Sequence, residues 1–284
     1  SCTIHHFPHS IQHTLTWARE QFDTLFVATP ENLNKQHQDA EFLPNVLLRM
    51  PPAGKVESLT RLLHAKKLHS SASLETLVAE ARSLFDELFN REIARLLETH
   101  PPNALDEEGL PFWAPPRRAP SPIVFDPNDA QHMGFVLAAA QLLAFRHDVT
   151  AFDRDQARAL LTGNRLTVSS QPQLPVASDQ DEAIAAKLQT QLNEAPAWQK
   201  LMVPTKFEKD DDRNAHIDFI HFTSTLRAIN YGITPITRLE SKKIAGNIIP
   251  AMVTTTACVT GLVLMQLYRL MSQQQLTIES LKVK

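Results

Sequence analysis

Only seven residues of this 284-residue chain are glycine: Gly54, Gly109, Gly134, Gly163, Gly232, Gly246 and Gly261. No two lie within ten positions of each other. A phosphate-binding loop or a dinucleotide fingerprint needs clustered glycines to bring backbone N–H groups onto phosphate, so both are excluded. The tight primed turns of β-hairpins also draw on glycine. The spacing therefore predicts a mainly helical chain. Hydrophobic residues make up 43% and charged residues 21%, a globular balance. With 28 Lys and Arg against 31 Asp and Glu, the formal net charge is −3. That near-balance removes the electrostatic case for nucleic-acid binding.

Apolar residues recurring at helical spacing, with breakers between them, locate the elements. Ser10 is positioned to cap a first helix whose inward face is Ile11, Leu15, Ala18, Phe22 and Leu25. Shorter helices are expected at 45–50 and 56–68, and a long one from Ser73 to about His100. Residues 101–127 hold eight of the nineteen prolines and cannot be helical. Phe112, Trp113 and Phe125 within them point to a packed loop, because free linkers are poor in large aromatics. Asp129 should cap an apolar helix through Val136, Leu137, Leu142, Leu143 and Phe145, and Asp153 a short one to about Leu161. A loop is expected at 163–180 and a weaker helix at 182–192. The charged link Lys206–Arg213 precedes a helix with Ile217, Ile220, Leu226 and Ile229 inward. The domain boundaries follow: 1–203, a linker at 204–212, and 213–284.

Residues 244–268 carry no charge over twenty-five positions. A membrane span and a buried core helix are the two readings. Pro250, the triplet Thr254-Thr255-Thr256 and Gln266 favour the core helix, in which Cys258 would be buried and inert. The acidic triplet Asp210-Asp211-Asp212 reads as a metal loop or as a solvated link capping the next helix; the absence of a nearby glycine favours the link. At the N-terminus, Cys2, His5, His6, His9 and His13 fall within twelve residues and leave three readings open. They could ligate zinc, although Phe7-Pro8 breaks the geometry and no second ligand pair follows. They could supply a cysteine–histidine hydrolase, although no histidine is singled out as its base. Cys2 could equally be an ordinary terminal residue. Its place ahead of a helix N-terminus favours a reactive thiolate. The two cysteines, Cys2 and Cys258, lie 256 residues apart, which suits a reducing compartment better than a disulfide-stapled fold. The chain opens Ser1-Cys2-Thr3 without an initiator Met and reads as a piece of a longer protein.

Four blocks in order resemble the eukaryotic ubiquitin-activating enzymes. Cys2-Thr3-Ile4, Phe7-Pro8, Ile11, His13-Thr14-Leu15 and Trp17-Ala18-Arg19 resemble that family's active-cysteine segment. Pro111-Phe112-Trp113 with Arg117-Arg118, Pro120, Pro122 and Phe125-Asp126 resembles its proline-rich signature. Phe207 to Asp212, then Asn214, His216 and Asp218-Phe219-Ile220, is similar to the crossover into its adenylation domain. Lys242 to Ala251 with the following threonines is similar to a core element of that domain. The resemblance implies a multi-helix catalytic-cysteine domain at 1–203 and a partial α/β adenylation-domain remnant at 213–284. It implies Cys2 as the acceptor of a ubiquitin thioester, with Thr3 following it and a histidine, His5, where the family carries a longer basic residue. It further implies ATP and magnesium used by the full-length parent, with none bound to this fragment and no resident metal. The implied partners are ubiquitin, ubiquitin-conjugating enzymes and the parent's other domains, in the cytoplasm and nucleus. An activating enzyme for another ubiquitin-like modifier, and a non-catalytic helical interaction module, are the alternatives.

Overall fold

In a computed structural model, residues 2–149, 152–163, 166, 180–195, 200–247 and 253–271 are described, with the backbone alone for Cys2, Thr3 and 253–255. Helix accounts for 67% of the described residues and strand for 1%, the mainly α architecture that scarce glycine implies. Among the described residues no strand forms, and one antiparallel bridge pairs Leu105 with Pro111. The chain divides into two compact units, Ser1–Gly246 and Asn247–Lys284. Most of the expected loop at 163–180 lies outside the described residues.

The first unit begins with a single helical turn, α1 (Cys2–His5), and then α2 (Ile11–Phe22). The helix widens into a π-turn at Asp23–Ala28 before continuing as α3 (Thr29–Gln38). The short α4 (Phe42–Leu47) and the long α5 (Pro52–Ser70) follow. Pro52 occupies the first turn of α5, where a missing N–H costs nothing. Ser73 caps α6 (Leu74–Asp86) through a reciprocal capping box with Thr76. A second π-turn, Glu87–Arg91, leads into α7 (Glu92–Thr99). The side chains of Asp129 and Asp153 cap α8 (Ala130–Arg146) and α9 (Arg154–Thr162), as their positions in the sequence predict. The unit is completed by α10 (Asp181–Glu194), α11 (His216–Asn230) and α12 (Arg238–Ala245).

The principal core joins α2, α6, α8 and α11. Its centre is a chain of edge-to-face rings. Phe26 meets Phe219 at 5.1 Å, Phe89 meets Phe135 at 5.0 Å, and Phe85 meets Phe89 at 5.3 Å. A smaller core packs α10 onto α5 and carries Leu33, Leu59, Leu62 and Leu192. At Gly134 the Phe222 ring occupies the space of a side chain, so a Cβ there would lie 2.4 Å from the ring.

The π-turns make a second kind of contact. A π-turn leaves carbonyls open to outside donors. The carbonyl of Leu25 accepts from Arg146, and that of Phe26 accepts from the Thr205 amide at 2.7 Å. In the second π-turn the Phe89 carbonyl accepts from the Ile123 amide at 2.9 Å and from the Asn230 side chain at 3.0 Å. Both irregular segments are thereby clasped to the helices by backbone bonds, and the proline-rich loop is a fixed strap.

Several faces differ from the sequence reading. Phe145 and Ile229 are exposed, although each lies one position from a buried residue of its helix. The Asp210–Asp212 triplet caps no helix. Asp212 instead pairs with Arg238 at 3.2 Å and Lys242 at 3.1 Å, and Asp211 with Arg213 at 3.1 Å. In the second unit, α13 (Val253–Met271) carries the uncharged run. Its Cys258 is exposed rather than buried, as are Val259, Leu262, Leu264 and Tyr268. An apolar period fixes only that a residue prefers cover, and the described residues of the second unit leave these side chains exposed. Among the described residues no helix is long and apolar enough to cross a membrane. Residues 248–252 lie outside the described residues.

Two substitutions test the principal core by denaturant unfolding. Phe219→Ala removes the ring between Phe26 and Phe135 and is expected to cost ~3–5 kcal/mol. Gly134→Ala is expected to cost ~1–3 kcal/mol by overpacking against Phe222.

Candidate functional site

Cys2 and Thr3 lie on α1, and of their side chains nothing is described. The helix that the sequence places directly after Cys2 starts only at Ile11. A helix dipole acts within its first turn, so α2 is too far along the chain to act on this thiol by that route. Ser10 has the extended backbone of a cap but makes no side-chain cap bond.

What the structure does define is the ground beneath α1. A cleft of about 1050 Å³ opens beside its C-terminal end, lined by His5, His6 and Phe7 and by residues of α2, α5, α7 and α11. Its charged groups are largely arranged in opposed pairs. His5 Nε2 lies 3.3 Å from Glu20, Arg61 lies 2.5 Å from Glu57, and Arg95 contacts Glu87. Glu92 differs. Burial pushes its carboxyl up to about 7, against the pull of Arg227 and with a smaller push from Glu87.

The deepest part of the lining comes from α11. Arg227 is buried, with its guanidinium carbon 4.3 Å from the Trp17 ring centroid and 5.1 Å from that of Tyr231. Its Nη2 donates to the His5 carbonyl, and the Tyr231 hydroxyl donates to the His6 carbonyl at 2.8 Å. A wall of the cleft is formed by the proline-rich strap. Phe112 stacks on His100 at 4.2 Å and meets Phe7 edge-on at 5.6 Å, while the Trp113 indole donates to the His100 carbonyl at 3.0 Å. The sequence reading of those aromatics as packed is correct, and the structure adds that they pack on the segment following α1.

The histidines do not converge. His9 and His13 lie edge to face at 4.4 Å, while His5 turns to Glu20. Among the described residues no group of three His, Cys, Asp or Glu side chains could hold a metal ion. Arg227, Tyr231, Trp17 and Glu92 are absent from the sequence-based candidates. The signal for the first two was a charged residue and a tyrosine four positions apart beside the buried Leu226, on a helix otherwise read for its apolar face.

The family described as the ubiquitin-activating enzyme SCCH domain matches residues 8–242, a stretch that begins after Cys2. Over 96% of its length the chain is 37% identical to ubiquitin-like modifier-activating enzyme 1 of Mus musculus and covers 27% of that protein. Over 95% of its length it is 36% identical to ubiquitin-activating enzyme E1 1 of Schizosaccharomyces pombe, covering 28%. It is 37% identical to human ubiquitin-like modifier-activating enzyme 7 over 95% of its length, again covering 27%. The chain thus spans just over a quarter of the curated relatives it matches.

The raised Glu92 pKa gives a test of the cleft. Its folded pKa lies above its unfolded value of 4.5, so the folded state holds the extra proton between those limits. The contribution of this group to stability is therefore greatest below about 4.5 and is lost as pH rises through about 7. Glu92→Gln should remove that loss. Denaturant midpoints of the variant and the wild type are expected to converge at acid pH and to separate, with the variant more stable, above neutrality.

Proposed function

This chain belongs to the ubiquitin-activating enzymes, and on that basis we propose that Cys2 is the acceptor cysteine of a longer parent enzyme. In the parent, the C-terminal carboxylate of ubiquitin attacks the α-phosphate of ATP, forming the acyl-adenylate and releasing pyrophosphate. The Cys2 sulfur then attacks the activated carbonyl. A carbon–sulfur bond forms, the bond to phosphate breaks, and AMP leaves. Ubiquitin finally passes to the cysteine of a conjugating enzyme, in the cytoplasm and nucleus. The observation that carries this reading is the family match through residue 242, together with a cysteine helix whose last residue, His5, lines a cleft large enough for an extended chain end.

The described residues do not fit ATP and magnesium. The glycines are scattered, and no three acidic, histidine or cysteine side chains converge. We therefore assign the nucleotide and metal sites to parts of the parent outside this chain. Residues 204–212 are taken as the crossover between the cysteine half-domain, 1–203, and the returning adenylation segment, 213–284. That crossover is a change of role and not a gap in packing, since the first compact unit continues to Gly246.

The identity of the modifier is a separate question, because activating enzymes 1 and 7 match this chain at the same 37%. The full-length parent should be incubated with ATP and a panel of ubiquitin-like proteins and resolved on non-reducing gels. Ubiquitin is expected to charge. Cys2→Ala is expected to abolish the thioester while leaving adenylate formation intact, since the two steps use different sites. A Cys2→Ala enzyme that still charges overturns the assignment, and charging of another modifier alone replaces ubiquitin as the substrate.

A further inference from the structure

We propose that Arg227 of α11 and Tyr231, the residue that caps its C-terminal end, are positioning residues for Cys2, clamping the one-turn helix that carries it so that its thiol is presented to the activated carboxyl. This rests on the reading of Cys2 as the acceptor.

A four-residue helix cannot hold itself in water; isolated helices are marginal even at ~12–15 residues. The conformation of α1 must be imposed from outside. Its C-terminal carbonyls have no partners further along the helix and need external donors. Two side chains donate there, one to the last carbonyl of the helix and one to the carbonyl of the residue after it. Arg227 donates to the His5 carbonyl across 222 positions of sequence, and Tyr231 to the His6 carbonyl across 225. The two donors sit four residues apart, the second at the C-terminal cap of α11, and take consecutive carbonyls, so together they hold the end of α1 and the residue that follows it.

The clamp is itself rigid. The Arg227 guanidinium lies against both the Trp17 and Tyr231 rings. The C-terminal end of α11 is tied by Asn230 to the Phe89 carbonyl and, at 2.6 Å, to the Ser121 carbonyl of the proline-rich strap. Arg227 is held there at a cost. Its Nε and Nη1 are buried without a hydrogen-bond partner among the described residues. An arginine kept only to fill space would be better replaced by an apolar side chain, because buried unsatisfied donors are destabilising. Its retained function is the bond it makes to α1. The clamp also places control of the cysteine on a helix beyond the crossover, within the segment assigned to adenylation.

The test uses the full-length parent and separates chemistry from folding. Tyr231→Phe keeps the ring and removes only the donor. Arg227→Lys keeps the charge and one donor while losing the planar fork. For each variant, ATP–pyrophosphate exchange reports the adenylation step, single-turnover charging reports transfer to Cys2, and the alkylation rate of Cys2 against pH reports its presentation. Exchange and the KM for modifier are expected to be unchanged. Transfer is expected to slow about tenfold to a hundredfold in Tyr231→Phe, as for a nucleophile displaced by an ångström or so. Arg227→Lys should retain more transfer than Arg227→Gln. Transfer within twofold of wild type in both Tyr231→Phe and Arg227→Lys overturns the clamp, as does a parallel fall in exchange and transfer, which marks a purely structural role. Charging of Cys2→Ala would instead overturn the acceptor assignment, so the two failures are distinguishable.

Discussion

The burial of α11 is the constraint on which the rest of the first unit depends. It arrives nearly two hundred residues after α2 ends and packs against both α2 and α8. Phe219 touches Phe22, Phe26 and Phe135, and Thr14 shares a buried hydroxyl contact with Ser224 at 3.3 Å. Burial of such rings supplies stabilisation of the order of 1.5–3 kcal/mol each, and their edge-to-face geometry adds to it. Once α11 is seated, Arg227, Asn230 and Tyr231 have fixed positions: Arg227 and Tyr231 reach the segment after Cys2, and Asn230 reaches the second π-turn and the strap.

The irregular segments follow from the same arrangement. Each π-turn leaves carbonyls open at the core boundary, and a buried acceptor without a donor would be costly. The Thr205 amide and the Arg146 guanidinium serve the first, and the Ile123 amide and the Asn230 side chain serve the second. The strap at 101–127 is therefore ordered despite its prolines. It uses its aromatics to pack against Phe7 and His100 and its few remaining amides to reach α11 and the second π-turn. Stability and site geometry are carried by the same bonds, so the cleft beside α1 is shaped by segments with no regular structure of their own.

The charges of the cleft are largely paired, Glu57 with Arg61 and Glu87 with Arg95, and His5 Nε2 lies beside Glu20. Glu92 and Arg227 stand apart, the first held toward its neutral form by burial and the second with unsatisfied nitrogens.

By itself the sequence determined the local structure. Apolar spacing located the helices, Ser73, Asp129 and Asp153 marked their starts, and the proline run with its aromatics marked a packed loop, because these signals act between residues a few positions apart. The same words of sequence carried the family and singled out Cys2 as the proposed acceptor. Tertiary structure alone decided the partners. It put Ile229 and Phe145 outside, turned the Asp210–Asp212 triplet toward α12 rather than α11, left Cys258 exposed, and widened two helices where outside donors were at hand. It also brought Arg227 and Tyr231 beneath α1. Periodicity fixes which face of a helix seeks cover but not what covers it, and a bond spanning more than two hundred residues depends on the whole packing between its ends.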